Sequence, residues 1–167
     1  MGSDLIAKLI WIGIGIIFFV LVIVLGHMAM SSSKSSQTES QLSTIISNVQ
    51  GLYANQPDFT GLSTATAISG GVIPSSMVSG TGTSATATDT YGGPVDVNVS
   101  STNPDEFTVE FDNIPQHACV SIGSSISGSN LVSLTVNGTS VGSDVISPSY
   151  LATPCNNATN TMVWTFN

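Results

Sequence analysis

Hydrophobic positions change their spacing twice along the chain. From Leu9 to Met30 no Asp, Glu, Lys or Arg interrupts the apolar residues, and as a helix the run spans roughly 33 Å, enough for a bilayer core. A membrane-spanning helix is therefore expected within 1–30. The run is longer than the apolar stretch of a cleavable signal, and His27-Met28-Ala29-Met30 offers no small-residue cleavage site, so the helix should be retained. Farther on, Leu42, Ile45, Ile46, Val49, Leu52 and Tyr53 recur at spacings of three and four, with Ser43, Thr44, Ser47, Asn48 and Gln50 between them. That is the stripe of an amphipathic helix, whose apolar side should bury against the remainder of the protein. No proline intervenes before Pro57, which disfavours helical geometry at Gln56. The two patterns join into one helix, apolar over 1–30 and one-sided over 31–56. It is either a membrane anchor fused to a surface helix or a spine shared by membrane, head and further copies of itself.

Residues 57–167 have the pattern of an α+β head. Leu62 to Met77, broken by Gly70-Gly71 and Pro74, fits a short helix or two interrupted turns, and Ser79 to Thr88 reads as a loop. Val95, Val97 and Val99 alternate with polar residues, as do Phe107, Val109 and Phe111, predicting two half-buried antiparallel strands joined through Thr102-Asn103-Pro104-Asp105. Pro115 can open a short helix running through Cys119 to Ile122. A buried strand is expected over Asn130 to Val136, and Asn137-Gly138 is the strongest hairpin signal, pairing that strand with Val141 to Ile146. Met162 to Phe166 supplies a closing strand.

Composition then excludes several functions. Of the 167 residues only 7% are charged, the formal net charge is −8, and Lys8 and Lys34 are the only cations. Nothing could neutralise a series of phosphates, so nucleic acid is not an expected partner. Two His, two Cys and no dense ionisable cluster argue against an enzyme, a cofactor or a metal. Cys119 and Cys155 are the only thiols; in an exported head they are expected to form a disulfide closing a loop of about 37 residues, worth about 3.8 kcal/mol in the chain-entropy description. A bridged Cys119 cannot serve as a nucleophile for His117. His27 ends the apolar run as an interfacial ring. Asp105, Glu106, Glu110 and Asp112 make an acidic face without the loop of a calcium site. Asn98, Asn137 and Asn157 match the glycosylation pattern in a sequence rich enough in Ser, Thr and Asn to produce it by composition. Lys8 and Lys34 flank the apolar run almost symmetrically, and the eight-residue tail holds no domain, so the N-terminus is placed in the cytoplasm and the head in the oxidising compartment.

Taken in order, these features resemble the type IVb pilins, the group containing the toxin-coregulated, bundle-forming and conjugative thin-pilus subunits. The resemblance spans essentially the whole sequence and is most specific at Leu52-Tyr53 through Phe59-Thr60-Gly61-Leu62, at Val72-Ile73-Pro74-Ser75-Ser76-Met77, at Tyr91-Gly92-Gly93-Pro94-Val95 and at Ala118-Cys119. It implies a pilin fold, with the long N-terminal helix packed on an antiparallel sheet and one disulfide loop. It also implies a major subunit that polymerises with identical copies into a helical filament for attachment, cell–cell contact or conjugation. A minor pilin or a secretion-type pseudopilin is the alternative. By the same resemblance, prepilin peptidase removes a Lys/Arg-rich leader ahead of Met1, whose amine is then methylated. The unassembled subunit waits in the bacterial inner membrane for the pilus assembly machinery and becomes extracellular in the filament. The family's fifth mature residue is typically a Glu that meets the N-terminal amine of a neighbouring subunit, whereas Leu5 stands here and the nearest acid is Asp4. Either Asp4 takes that role or the register differs. Lys8, one helical turn beyond Asp4, is the internal rival for its carboxylate.

Overall fold

The computed structural model describes residues 32–126, 130–143 and 146–167. Two compact units are present, Met1–Ser33 and Lys34–Asn167, and the second is described here. The apolar run Leu9–Met30, with Met1, Asp4 and Lys8, lies outside the described residues.

The first element, α1, is helical over residues 34–53. Its many hydroxyl side chains are accommodated by bonding back to the preceding turn, Thr38 Oγ1 donating to Lys34 O at 3.0 Å and Thr44 Oγ1 to Ser40 O at 2.8 Å. A short helix α2, Thr64–Ser69, follows. Ser63 caps it by accepting from Thr66 N at 3.2 Å. A single 3₁₀ turn at Ser75–Met77 ends the interrupted helical segment, and the stretch expected as a plain loop holds a two-stranded ribbon, β1 (Val78–Ser79) against β2 (Thr86–Ala87), with a second 3₁₀ turn at Gly82–Ser84. Strands this short bury too few alternating side chains to leave a period-two signal.

The main sheet comprises β3 (Val95–Val99), β4 (Phe107–Pro115), β5 (Leu131–Val136), β6 (Thr139–Gly142) and β7 (Thr159–Phe166), all antiparallel, in the order β3-β4-β7-β5-β6. The expected β3–β4 pairing is present in register, Val97 opposite Val109. The last strand is central, bonded to both β4 and β5, and the hairpin partner is Thr139–Gly142 instead of Val141–Ile146. That shift follows from the two-residue Asn137-Gly138 turn, which starts the returning strand at once. A register shift between Phe111 and Ile114, with Asn113 at φ 58°, marks a bulge in β4. The extra residue changes the alternation, so that Ile114 rather than Asn113 continues the buried row of Phe107, Val109 and Phe111.

β3 is an edge strand, yet two of its amides find partners outside the sheet. Val97 N donates to Thr64 Oγ1 at 3.1 Å and Val99 N to Leu62 O at 3.2 Å. Helix α3, Gln116–Ser125, follows β4 directly. Gly123 lets α3 meet helix α4, Pro148–Leu151, since a Cβ there would lie 2.9 Å from Leu151 Cδ1. Trp164, Phe107, Phe111, Met162 and Leu134 from the sheet and Leu42, Ile45 and Val49 from α1 belong to one buried core. Each of these residues contributes roughly 1.5–3 kcal/mol by leaving water.

Candidate functional site

Because the helix of an α+β head presents one face to its sheet and leaves the other accessible, the α1 seam is the first place to look for a working surface. Leu42, Ile45 and Val49 are fully buried, while Ile46 and Tyr53 pack against the core half-buried. Leu52 departs from the expectation of burial: it is 45% exposed. Near the end of α1 the cover comes from α2 and its C-terminal glycines, and Leu52 Cδ2 lies 3.2 Å from where a Cβ on Gly70 would stand. Leu52 therefore walls a shallow groove of about 600 Å³, with Tyr53, Gln56, Pro57, Asp58 and Thr60 among its lining residues. Its single carboxylic acid, Asp58, is held below the usual carboxylate range by the Thr60 amide and hydroxyl. Tyr53 also starts a file of rings into the sheet, with centroid separations of 5.4 Å to Phe59, 4.8 Å from Phe59 to Phe107 and 5.6 Å from Phe107 to Phe166.

The earlier turns of α1 are held by polar contacts. Ser35 Oγ pairs with the Tyr91 hydroxyl at 3.1 Å, Thr38 Oγ1 with Thr90 Oγ1, and Lys34 Nζ lies 5.6 Å from the Tyr91 ring centroid. Asp89 shapes this clasp. Its Oδ1 accepts from Tyr91 N at 2.8 Å and Gly93 N at 2.9 Å, while its buried Oδ2 has no hydrogen-bond partner among the described residues. Burial raises the Asp89 carboxyl above its ordinary value, partly offset by the amides of Gly93, Tyr91 and Gly92. The Tyr91 hydroxyl is likewise raised by burial. Gly93 sits where a Cβ would meet the Asp112 carbonyl oxygen at 2.0 Å, so no larger residue fits this approach.

At the opposite end of the sequence the two cysteines form the expected bridge, Cys119 on α3 to Cys155 after α4, with 36 residues of separation. Asn137 and Asn160 secure the same region. Asn137 Nδ2 donates to Pro154 O and to Asn160 Oδ1, each at 2.8 Å, and its Oδ1 accepts from Thr161 N at 3.0 Å. Asn160, itself buried, donates to Ile114 O at 3.0 Å and Asn157 O at 3.1 Å. Asn137 thus spends its amide on structure, while Asn98 is exposed on β3.

Neither a catalytic constellation nor a metal-binding group emerges among the described residues. Cys119 is bonded and so cannot attack a substrate, His117 is exposed on α3, and no group of three metal-ligating side chains comes together among the described residues. In the acidic face, Glu110 is raised above its ordinary value, chiefly by desolvation and then by Asp112 and Asp96. Thr161 Oγ1 donates to Asp112. Sequence reasoning missed Asp89, Asn160 and the α1 hydroxyls Ser35 and Thr38. Only Asp89 left a signal, as the acid opening the turn Asp89-Thr90-Tyr91-Gly92-Gly93.

A family model described as Bundlin matches residues 28–165. None of the curated proteins matches the sequence. Among solved structures, the crystal structure of a type IVb pilin from Salmonella typhi is 25% identical, with a TM-score of 0.64, over 81% of this protein and 99% of that one. An NMR structure of type IVb pilin PilS from Salmonella typhi is 26% identical, with a TM-score of 0.50, over 77% and 92%. TcpA, a type IV pilin from Vibrio cholerae El Tor biotype, shares the fold at 10% identity and a TM-score of 0.58, over 81% and 99%. A head built on one face of α1 and closed by one disulfide agrees with that match: the protein belongs to the bundlin family and is a type IVb pilin.

Proposed function

We propose that the protein is the major structural subunit of a type IV pilus, polymerising with identical copies into a helical filament that serves attachment, cell–cell contact or conjugation. The observation that carries the reading is α1. Its Leu42, Ile45 and Val49 face is committed to the head, and the sequence just ahead of it is the uncharged run Leu9–Met30. A helix fixed to its own head can place the apolar run in a membrane before assembly and among neighbouring copies afterwards, because both surroundings exclude water.

In this reading the subunit waits in the inner membrane with its N-terminus cytoplasmic, after prepilin peptidase has exposed Met1 for methylation, and the assembly machinery moves it into the extracellular filament. The Met1 amine and the Asp4 carboxylate then leave water together, and each needs an opposite charge, since an unpaired buried ion costs several kcal/mol. Asp4 is assigned the pairing with the neighbour's amine. Lys8 competes from one turn along the same helix.

Electron microscopy of sheared surface filaments, with the subunit mass measured, tests this reading. Asp4→Asn should leave the subunit at normal membrane level and sharply reduce filaments, while Lys8→Gln should be milder. Abundant filaments from the Asp4→Asn strain would remove the role of Asp4. Filaments composed mainly of another protein would overturn major status in favour of a minor pilin or pseudopilin.

A further inference from the structure

Asn137 is followed by Gly138, the only Asn-Gly pair in the sequence. This dipeptide is chemically labile, because a glycine offers least steric hindrance to attack by its own amide nitrogen on the preceding side chain. We infer that Asn137 is a latent deamidation site, held shut by the disulfide-closed loop and opened when that loop loosens. The reading stands independently of the filament proposal.

The reaction needs the Gly138 nitrogen to reach Cγ, the carbonyl carbon of the Asn137 amide. A new bond joins Gly138 N to Cγ as the nitrogen gives up its proton, the Cγ–Nδ2 bond breaks, and ammonia departs with that proton. One water then opens the succinimide at either carbonyl, leaving aspartate or isoaspartate with no change in oxidation state. In the folded head the amide plane of Asn137 cannot turn freely toward that attack. Both Nδ2 hydrogens are committed, to Pro154 O and Asn160 Oδ1, and Oδ1 accepts from Thr161 N. A fourth bond, Asn137 N to Thr161 O at 2.9 Å, fixes the turn backbone. One of these anchors, Pro154, immediately precedes Cys155, which the bridge ties to Cys119 on α3. Asn137 is itself solvent-exposed, so water is at hand once the clamp opens.

The product would not restore the clamp. A carboxylate donates nothing to Pro154 O or Asn160 Oδ1, and isoaspartate adds a backbone atom to the two-residue turn between β5 and β6. Loss of the bridge would therefore leave a permanent chemical mark on the subunit.

The test uses the purified full-length protein in detergent at mildly alkaline pH, with deamidation at Asn137 followed by peptide mapping and mass spectrometry. In the oxidised protein the rate should be on the order of a hundredfold below that of the same protein unfolded in denaturant, because three side-chain bonds must break together. Reducing the bridge without denaturant should raise it about tenfold or more. Asn160→Ala with the bridge intact should also raise the rate about tenfold, which separates the clamp from overall foldedness. A native oxidised rate equal to the unfolded one, or a rate unchanged by both reduction and Asn160→Ala, would overturn the inference.

Discussion

Asp96 stands directly opposite Glu110 in the β3–β4 register. Two carboxylates therefore face each other on the side of the sheet away from the core, with Asp112 two residues along from Glu110. Like charges across a strand pair destabilise it, and desolvation, followed by Asp112 and Asp96, raises the Glu110 carboxyl above its ordinary value. The folded state thus holds this proton more tightly than the unfolded state does. The contribution to stability is fully present below the unfolded value and is lost as pH rises through the folded one. Glu110→Gln should raise the urea midpoint at neutral pH by a few tenths of a kcal/mol in stability, and the gain should close on acidification. A gap that widens toward acid would show that the sign is wrong.

The two ends of the α1 stripe should respond differently to truncation. Ile45→Ala removes a fully buried side chain and should cost about 2–5 kcal/mol. Leu52→Ala, at a position 45% exposed, should stay within about 0.5 kcal/mol. Urea unfolding of the two variants side by side checks this, and equal losses would contradict the placement of Leu52.

Gly93→Ala should loosen the clasp on the first turns of α1. The added Cβ meets backbone oxygen at 2.0 Å, and backbone cannot rotate away as a side-chain tip can, so a loss of at least about 2 kcal/mol is expected. Limited proteolysis should reveal new cutting near Thr90–Gly92. An unaltered protease pattern and unfolding midpoint would mean that the loop accommodates a methyl group.

Much of the head was legible because its burial is periodic. Val95-Val97 and Phe107-Val109-Phe111 alternate cleanly, and the structure buries those residues. Strand order was not legible: Met162–Phe166 reads as a closing strand, and nothing in its own residues says that it lies between β4 and β5. Leu52 misled because periodicity reports a residue's face on a helix, not where the covering elements end. Asn160 was invisible since a buried asparagine inside a strand depends on acceptors elsewhere in the fold, above all the Ile114 carbonyl. Asp4 and Lys8 were legible only as a charge pattern, and they lie outside the described residues.

Because Thr64 and Leu62 already occupy the amides of Val97 and Val99, neither of these β3 donors is available to a strand from another molecule. A protein crowded beside many copies of itself runs the risk of strand-by-strand zippering, which is hard to reverse and follows no fixed geometry. Taking up two of that edge's donors from within weakens the ladder a neighbour could build on this flank, so crowded heads are less prone to fuse there into a common sheet.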